Sequence, residues 1–345
     1  MLLLNHHDIA SLLDLDEYIS AVEQAFKLHA EGKALKTGLL HVNAREGEFH
    51  VKAGGLQLKN TYFGLKVNGG FFQNQMQFGM PNIQGAIYLA DAENGSPLAL
   101  MDSREITMKR TGAATAVAAK YLARPDASVV TIFGCGTQGR IQLEALTRVL
   151  PIREAFAYSR NREKAARFAE EMSAALQIRV RPVADLDDDD IQASDVCVTC
   201  TPAKQYFLRK EYVRPGTFIA AVGADSPDKQ ELEPALLASS KVVVDILDQC
   251  ERVGELHHAI AAGLMTRESV HAELGEIIAG KKPGRTSDEE ITIFDSTGTA
   301  LQDIAAAAAI YEKASAIGTG TQFNLSCIQS DVPPNEKEAV AHKLF

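Results

Sequence analysis

The chain has 345 residues, 46% of them apolar and 23% charged, with a formal net charge of -10. That length exceeds what one hydrophobic core usually fills, so two domains are expected. The acidic balance repels a phosphate backbone, and no apolar run approaches the roughly 20 residues of a membrane span, so neither nucleic acid nor a membrane is expected as a partner.

The first ten residues, MLLLNHHDIA, lack the basic flank of a secretory signal, and the five cysteines form an odd set without a disulfide framework. A reducing, cytoplasmic location is therefore expected. Asp14 and Glu17 have capping-box spacing, and Ile19, Val22, Ala25 and Phe26 recur on one face, so a helix is expected from there to about Glu31 or Gly32. Residues 37–100 alternate short apolar runs with Gly, Asn and charged turns, which predicts a mainly antiparallel sheet. A second helix is expected from Thr111 through an alanine-rich run to Pro125.

From Ser128 the pattern becomes alternating strand and helix. SVVTIF, EAFAYS, IRVRP, DVCVTCT, GTFIAAVG, KVVVDI and ITIFD read as strands, with helices near 137–149, 161–176 and 232–239. This predicts an α/β fold with a Rossmann-type, doubly wound parallel sheet. Cys197 and Cys200 form a C-x-x-C inside one of these strands and are read as core; Cys135 is likewise a packing residue, and no metal site is expected. The acidic run 187–190 reads as a solvated turn. After Ser296, TGTALQDIAAAAAIYEKA reads as a long helix able to return to the first domain, and residues 331–345 as a tail.

The strongest motif is Gly134-Cys135-Gly136-Thr137-Gln138-Gly139, a G-x-G-x-x-G directly after a strand and before a helix. Gly134 permits a tight turn, Gly136 admits a pyrophosphate close to backbone, and Gly139 allows close helix packing, so a nicotinamide dinucleotide is expected there. At the end of the next strand, where an acid would select NAD, the sequence reads Ser159-Arg160-Asn161-Arg162. The missing acid and the two arginines favour NADP(H) over NAD(H). Lys66 stands on an apolar strand where an uncompensated charge is costly. Arg110 and Thr111, read as the start of the second helix, offer charge and N–H groups to a carboxylate or phosphate. Asp225 follows a parallel strand at its carboxyl end, where such sheets place ligands and where a proton-transferring acid is useful.

Taken together, Gly64-Leu65-Lys66-Val67-Asn68, Arg110-Thr111-Gly112-Ala113-Ala114, the glycine loop, Gly223-Ala224-Asp225 with Lys229-Gln230-Glu231-Leu232, and Phe294-Asp295-Ser296-Thr297-Gly298 resemble the ornithine cyclodeaminase and mu-crystallin family, above all its archaeal-type alanine dehydrogenase branch. The resemblance implies a homodimer. It also implies an α+β substrate and dimerisation domain, residues 1–120 with 300–330, around a cofactor domain of residues 121–299. It implies that Lys66 and Arg110 hold a substrate carboxylate, that Asp225 handles protons at nitrogen, and that Ser296, Thr297 and Gly298 lie near the nicotinamide. Thr111, Thr201 and Gly223 complete the expected cofactor set.

The chain departs from the family pattern at Leu39, where a basic residue is usual, and at His50, where an arginine is usual; Lys52 stands two residues on, on the same strand face as His50. His50 and Lys52 are therefore included as substrate-binding residues. The leading expectation is an NAD(P)H-dependent amino-acid dehydrogenase or imine reductase acting on a small amino or imino acid. A cyclodeaminase releasing ammonia, a dehydratase of a hydroxylated cyclic amino acid, and a ligand-binding protein without catalysis are the alternatives.

Overall fold

The structure is a computed structural model describing residues 1–186 and 189–325. The expected tail therefore lies outside the described residues, as do residues 326–330 of the returning segment.

The chain begins with β1 (Leu2–Leu4) and α1 (His6–Ala10). The next helix, α2 (Leu15–Ala30), starts where the capping box places it. Asp14 accepts from the Glu17 N–H at 2.8 Å, and Glu17 returns the favour to the Asp14 N–H at 2.9 Å. Strands β2 (Ala34–Ala44), β3 (Gly47–Gln57) and β4 (Thr61–Gly70) follow as an antiparallel meander. A short α3 (Asn74–Phe78), β5 (Ile83–Asp91) and β6 (Pro97–Asp102) complete this region. β1 pairs parallel with β6, extending the predicted sheet at its edge.

The long helix α4 spans Arg104–Leu122, seven residues earlier than the sequence pattern suggested. The charged segment REITMKR reads poorly as a helix, but Asp102 accepts from the Arg104 N–H at 2.9 Å, and Glu105 and Lys109 pair at 3.1 Å one turn apart. Arg110 and Thr111 consequently sit inside the helix, where their N–H groups belong to the helical ladder. The expected anion site on the first N–H groups is thereby overturned, and Arg110 can act only through its side chain. α4 is buried on nearly every side; a Cβ on Gly112 would stand 2.9 Å from Ile141, so this glycine sets how closely the next long helix approaches.

The second half alternates as expected: β7 (Val129–Phe133), α5 (Thr137–Thr147), β8 (Glu154–Tyr158), α6 (Arg162–Leu176), β9 (Arg179–Val183), α7 (Asp189–Gln192) and β10 (Val196–Thr199). Asp189 and Asp190 open α7, so the second half of the acidic run is helical, not a turn; Asp187 and Asp188 lie outside the described residues. Then come β11 (Lys204–Leu208), β12 (Phe218–Ala221), β13 (Gln230–Leu232), α8 (Pro234–Ala238), β14 (Lys241–Val244), α9 (Leu247–Cys250) and α10 (Glu255–Ala261). The chain finishes with β15 (Ala272–Glu273), α11 (Leu274–Ile278), β16 (Thr292–Asp295), α12 (Ala300–Ile317) and β17 (Thr321–Gln322).

Two sheets organise these elements. The first has the order β17-β1-β6-β5-β4-β3-β2, and the second, parallel throughout, the order β15-β14-β16-β12-β10-β7-β8-β9. β11 and β13 form a separate parallel pair, which the sequence reading missed. In the large parallel sheet the order reverses between β7 and β10, so the loops after these two strands diverge and open a crevice. α12 returns to pack on α2, β3 and β4, and α4 packs between it and α5, joining the two sheets.

Candidate active site

The glycine loop follows β7 and ends in the first turn of α5. Gly134 has φ +118°, and a Cβ there would stand 2.7 Å from the Cys200 carbonyl, so only glycine fits between the diverging loops. A Cβ on Gly139 would run into the Gly134 carbonyl, whereas Gly136 faces open space. The helix start has no side-chain cap, which leaves its N–H groups, from Thr137 onward, to a ligand. These features fit the pyrophosphate of a dinucleotide. A cavity of about 860 Å³ runs from Gly134 and Gly136 past Tyr158 and Ser159 to the segment 200–207.

Arg160 and Lys164 line that cavity, while Arg162 does not; it is exposed and lies 4.0 Å from Asp185. The two arginines are therefore not equivalent. On the other side of the glycine loop a cavity of about 200 Å³ is bounded by Thr111, Gln138, Thr201, Gly223, Ser296, Thr297 and Gly298, bringing the remaining expected cofactor residues together with Lys52, Arg110 and Asp225. The Gln138 side-chain oxygen there is buried and has no hydrogen-bond partner, again as expected of a surface shaped for a polar ligand.

Behind this cavity lies a cationic wall. Lys66 is 3% exposed and its ammonium stands 2.7 Å from Asp303; Arg110 approaches the same carboxylate at 3.0 Å and donates to Gln302 at 2.6 Å. Lys52 donates to the carbonyls of Thr297 and Gly298 at 3.0 and 2.6 Å. Two cations thus share the Asp303 carboxylate and a third, Lys52, is held nearby on backbone carbonyls, an arrangement that favours a bound anion. Burial, reinforced by Arg110, brings the Lys66 ammonium down to about 7 despite the pull of Asp303. A small cavity of about 80 Å³ lets Lys66, Arg110, His50 and Asp225 meet.

Asp225 is paired with Lys229 at 2.6 Å. Burial opposes its ionisation, but Lys229 and Lys52 outweigh that and hold its carboxyl down at about 2. His50 lies 3.2 Å from Glu48, and burial shifts its imidazole toward the neutral form.

The sequence reading missed Asp303 and Gln302, the partners of the cationic wall. Asp303 had a signal: it is an acid one turn into an alanine-rich helix, among mostly apolar neighbours. It also missed Glu231 as a clamp. This carboxylate accepts from the N–H and hydroxyl of Thr201 at 2.6 and 2.7 Å and from the Gly223 N–H at 2.9 Å, tying together the loops after β10 and β12. Burial raises it to about 7. Asp245 does the same for the last loop, accepting from the Thr297 hydroxyl at 2.9 Å and the Gly298 N–H at 2.7 Å.

A dinucleotide crevice at the switch point of a parallel sheet, opening onto a buried cationic pocket, defines a nicotinamide-dependent oxidoreductase for small anionic substrates. The model of the ornithine cyclodeaminase/mu-crystallin family matches residues 1–318, and the chain belongs to that family. It is 42% identical to an alanine dehydrogenase of Archaeoglobus fulgidus over 93% of its length and 98% of that protein. Among solved structures, an archaeal alanine dehydrogenase dimer with bound NAD superposes with a TM-score of 0.88 at 40% identity, covering 94% of this chain and 99% of that one. The Δ1-pyrroline-2-carboxylate reductase of Thermococcus litoralis, in complex with NADH and L-proline, gives 0.87 at 35% identity, covering 94% and 100%. The chain is thus an NAD(P)-dependent enzyme acting on CH–NH and C=N groups. No helix among the described residues is long and apolar enough to cross a membrane.

The displaced titration of Lys66 has a measurable consequence. A carboxylate bound beside it favours the ammonium, so binding above neutral pH draws a proton from solution. Calorimetry with a small carboxylate at pH 8, in buffers of different ionisation enthalpy, is expected to report proton uptake that Lys66→Met abolishes. Binding without uptake would mean that Lys66 is already charged.

Proposed function

We propose that the chain reduces the C=N bond of a small imino acid, or oxidises the corresponding amino acid, with Lys66, Arg110 and Lys52 facing the substrate carboxylate and Asp225 facing its nitrogen. The observation that carries this reading is the excess of buried positive charge over Asp303, within one small cavity of the partly exposed Asp225. Among the described residues, the packing of α12 on α2, β3 and β4 supports a substrate half that joins residues 1–120 to the segment from 300 onward, with 121–299 as the cofactor half.

The cofactor supplies or accepts the hydride when bound. The chain's own residues orient and hold charge. With its carboxyl near 2, Asp225 is an anion at neutral pH, suited to accept the N–H of a protonated imine and keep that proton on nitrogen while the α-carbon is reduced. In the reverse direction the same carboxylate receives an ammonium, and the near-neutral Lys66 is placed to exchange a proton. Glu48, which would be the receptor for a second ammonium, is already flanked by the imidazoles of His41 and His50 at 2.9 and 3.2 Å and by the Lys229 ammonium at 3.7 Å, which supports a reductase over a cyclodeaminase.

The test is a panel of imino acids, including pyruvate with ammonia and cyclic imines, followed by cofactor absorbance and ammonia assay. Stoichiometric cofactor oxidation is expected, and Asp225→Asn is expected to lower kcat/KM by about 10²–10⁴-fold with cofactor affinity preserved. Ammonia release from ornithine or lysine without net cofactor change would instead establish a cyclodeaminase.

For the cofactor, Arg160 and Lys164 beside the acid-free Ser159 support a preference for NADP(H), with Arg162 outside the contact. A charge-assisted bond to a 2′-phosphate contributes about 1.5–3 kcal/mol, so Arg160→Ala is expected to weaken NADPH binding at least about tenfold and leave NADH binding unchanged. Equal affinity of the unaltered protein for both cofactors would refute the preference.

A homodimer is supported by the first sheet itself. Its inward face buries Lys52, Lys66 and Asn68, while the alternate positions Leu40, Val42, Phe49 and Leu100 are 39–56% exposed. Strand register aligns Leu40 with Val51, Val67 and Ala86, so the outward face is continuous and apolar, as an isologous interface requires. Light scattering is expected to give twice the chain mass, and Leu40→Lys with Val42→Lys to give monomers. A monomeric unaltered protein would disprove the interface.

A further inference from the structure

The β2–β3 hairpin carries a second constellation, at the outer end of the substrate cavity. His41 and His50 are directly opposed across the two strands, and their rings stack with centroids 4.5 Å apart. Both Nε2 atoms reach the same carboxylate: His41 lies 2.9 Å from one oxygen of Glu48 and His50 lies 3.2 Å from the other. The three side chains are only 13–28% exposed, and one ligand-type atom of each falls within 4.8 Å of the others.

A hydrogen-bonded cluster would account for His50 but not for His41. The His41 Nε2 is buried and, despite its closeness to Glu48, has no hydrogen-bond partner. A buried imidazole nitrogen that faces a carboxylate without bonding to it is oriented as a ligand would be. The spacing agrees. Around a tetrahedral Zn²⁺ with bonds of about 2.0–2.2 Å, neighbouring ligand atoms are separated by roughly 3.3–3.5 Å, close to the 2.9 and 3.2 Å between the two imidazoles and Glu48.

We propose that His41, Glu48 and His50 form a three-ligand site for a borderline divalent transition cation of the Zn²⁺ class, with its fourth position bordering the substrate cavity. Glu48 and His50 line that cavity together with Lys66, Arg110 and Asp225. Two histidines and one carboxylate are a ligand set that leaves a position for water or a substrate oxygen. The nearest competing charge is Lys229, 3.7 Å from Glu48, and it is itself engaged by Asp225. The site departs from the sequence expectation of no metal: H-x₆-E-x-H is no familiar signature, and only the hairpin register brings its ends together.

The test uses the full-length protein stripped with a chelator, then titrated with Zn²⁺ or Co²⁺. One equivalent of Zn²⁺ is expected to bind, and Co²⁺ is expected to give the visible absorption of a four- or five-coordinate centre. His41→Asn and the near-isosteric Glu48→Gln are each expected to weaken binding about tenfold or more, while His257→Asn, which alters a histidine pair elsewhere, leaves it unchanged. Absence of binding, or binding that survives both hairpin substitutions, would overturn the site and leave a hydrogen-bonded charge cluster in its place.

Discussion

The structure turns on the carboxylate of Asp303. Lying in α12, it meets Lys66 from β4 and Arg110 from α4, and so fixes three elements distant in the chain to one another. Breaking such a buried pair by removing one partner typically costs about 3–5 kcal/mol, because the remaining charge is stranded. Here one carboxylate serves two cations, with Lys52 close by on backbone carbonyls, and this surplus of positive charge is the basis of the proposed carboxylate site. The same arrangement shifts Lys66 toward neutrality, giving the wall a group that can take up or give a proton.

The crevice depends on a second set of buried acids. Glu231 joins the loops after β10 and β12, Asp245 holds the loop after β16, and Asp295 and Glu255 accept from backbone N–H groups around α10 and β13. Burial raises all four carboxyls, to about 7 for Glu231 and Asp295. Loops at the carboxyl ends of parallel strands carry backbone groups the sheet cannot satisfy, and these side chains satisfy them while fixing the cofactor's surroundings.

The first sheet faces two ways. Its inner face buries Lys52 and Lys66 beside apolar Leu56, Tyr62, Ile87 and Leu89, while its outer face keeps Leu40, Val42 and Phe49 exposed. The proposed carboxylate site would use the inward charges, and the proposed self-association would cover the outward apolar positions. On the same inner surface, the hairpin of His41, Glu48 and His50 extends the polar wall beyond the carboxylate pocket.

The sequence by itself determined the parallel sheet, its seven main strands, the glycine loop and the α2 capping box, because each depends on contacts within a few residues or on a short period. It also singled out Lys66, Arg110 and Asp225 individually. The start of α4 was lost because its charged first turns are stabilised by Asp102 and by burial against other elements, neither visible as periodicity. Only the tertiary structure decided that Asp303 balances the cations, that Arg160 rather than Arg162 faces the crevice, that Glu231 ties two loops, and that two histidines share Glu48. These are meetings of residues far apart in the chain or set by strand register, and such encounters follow from packing, not from local pattern.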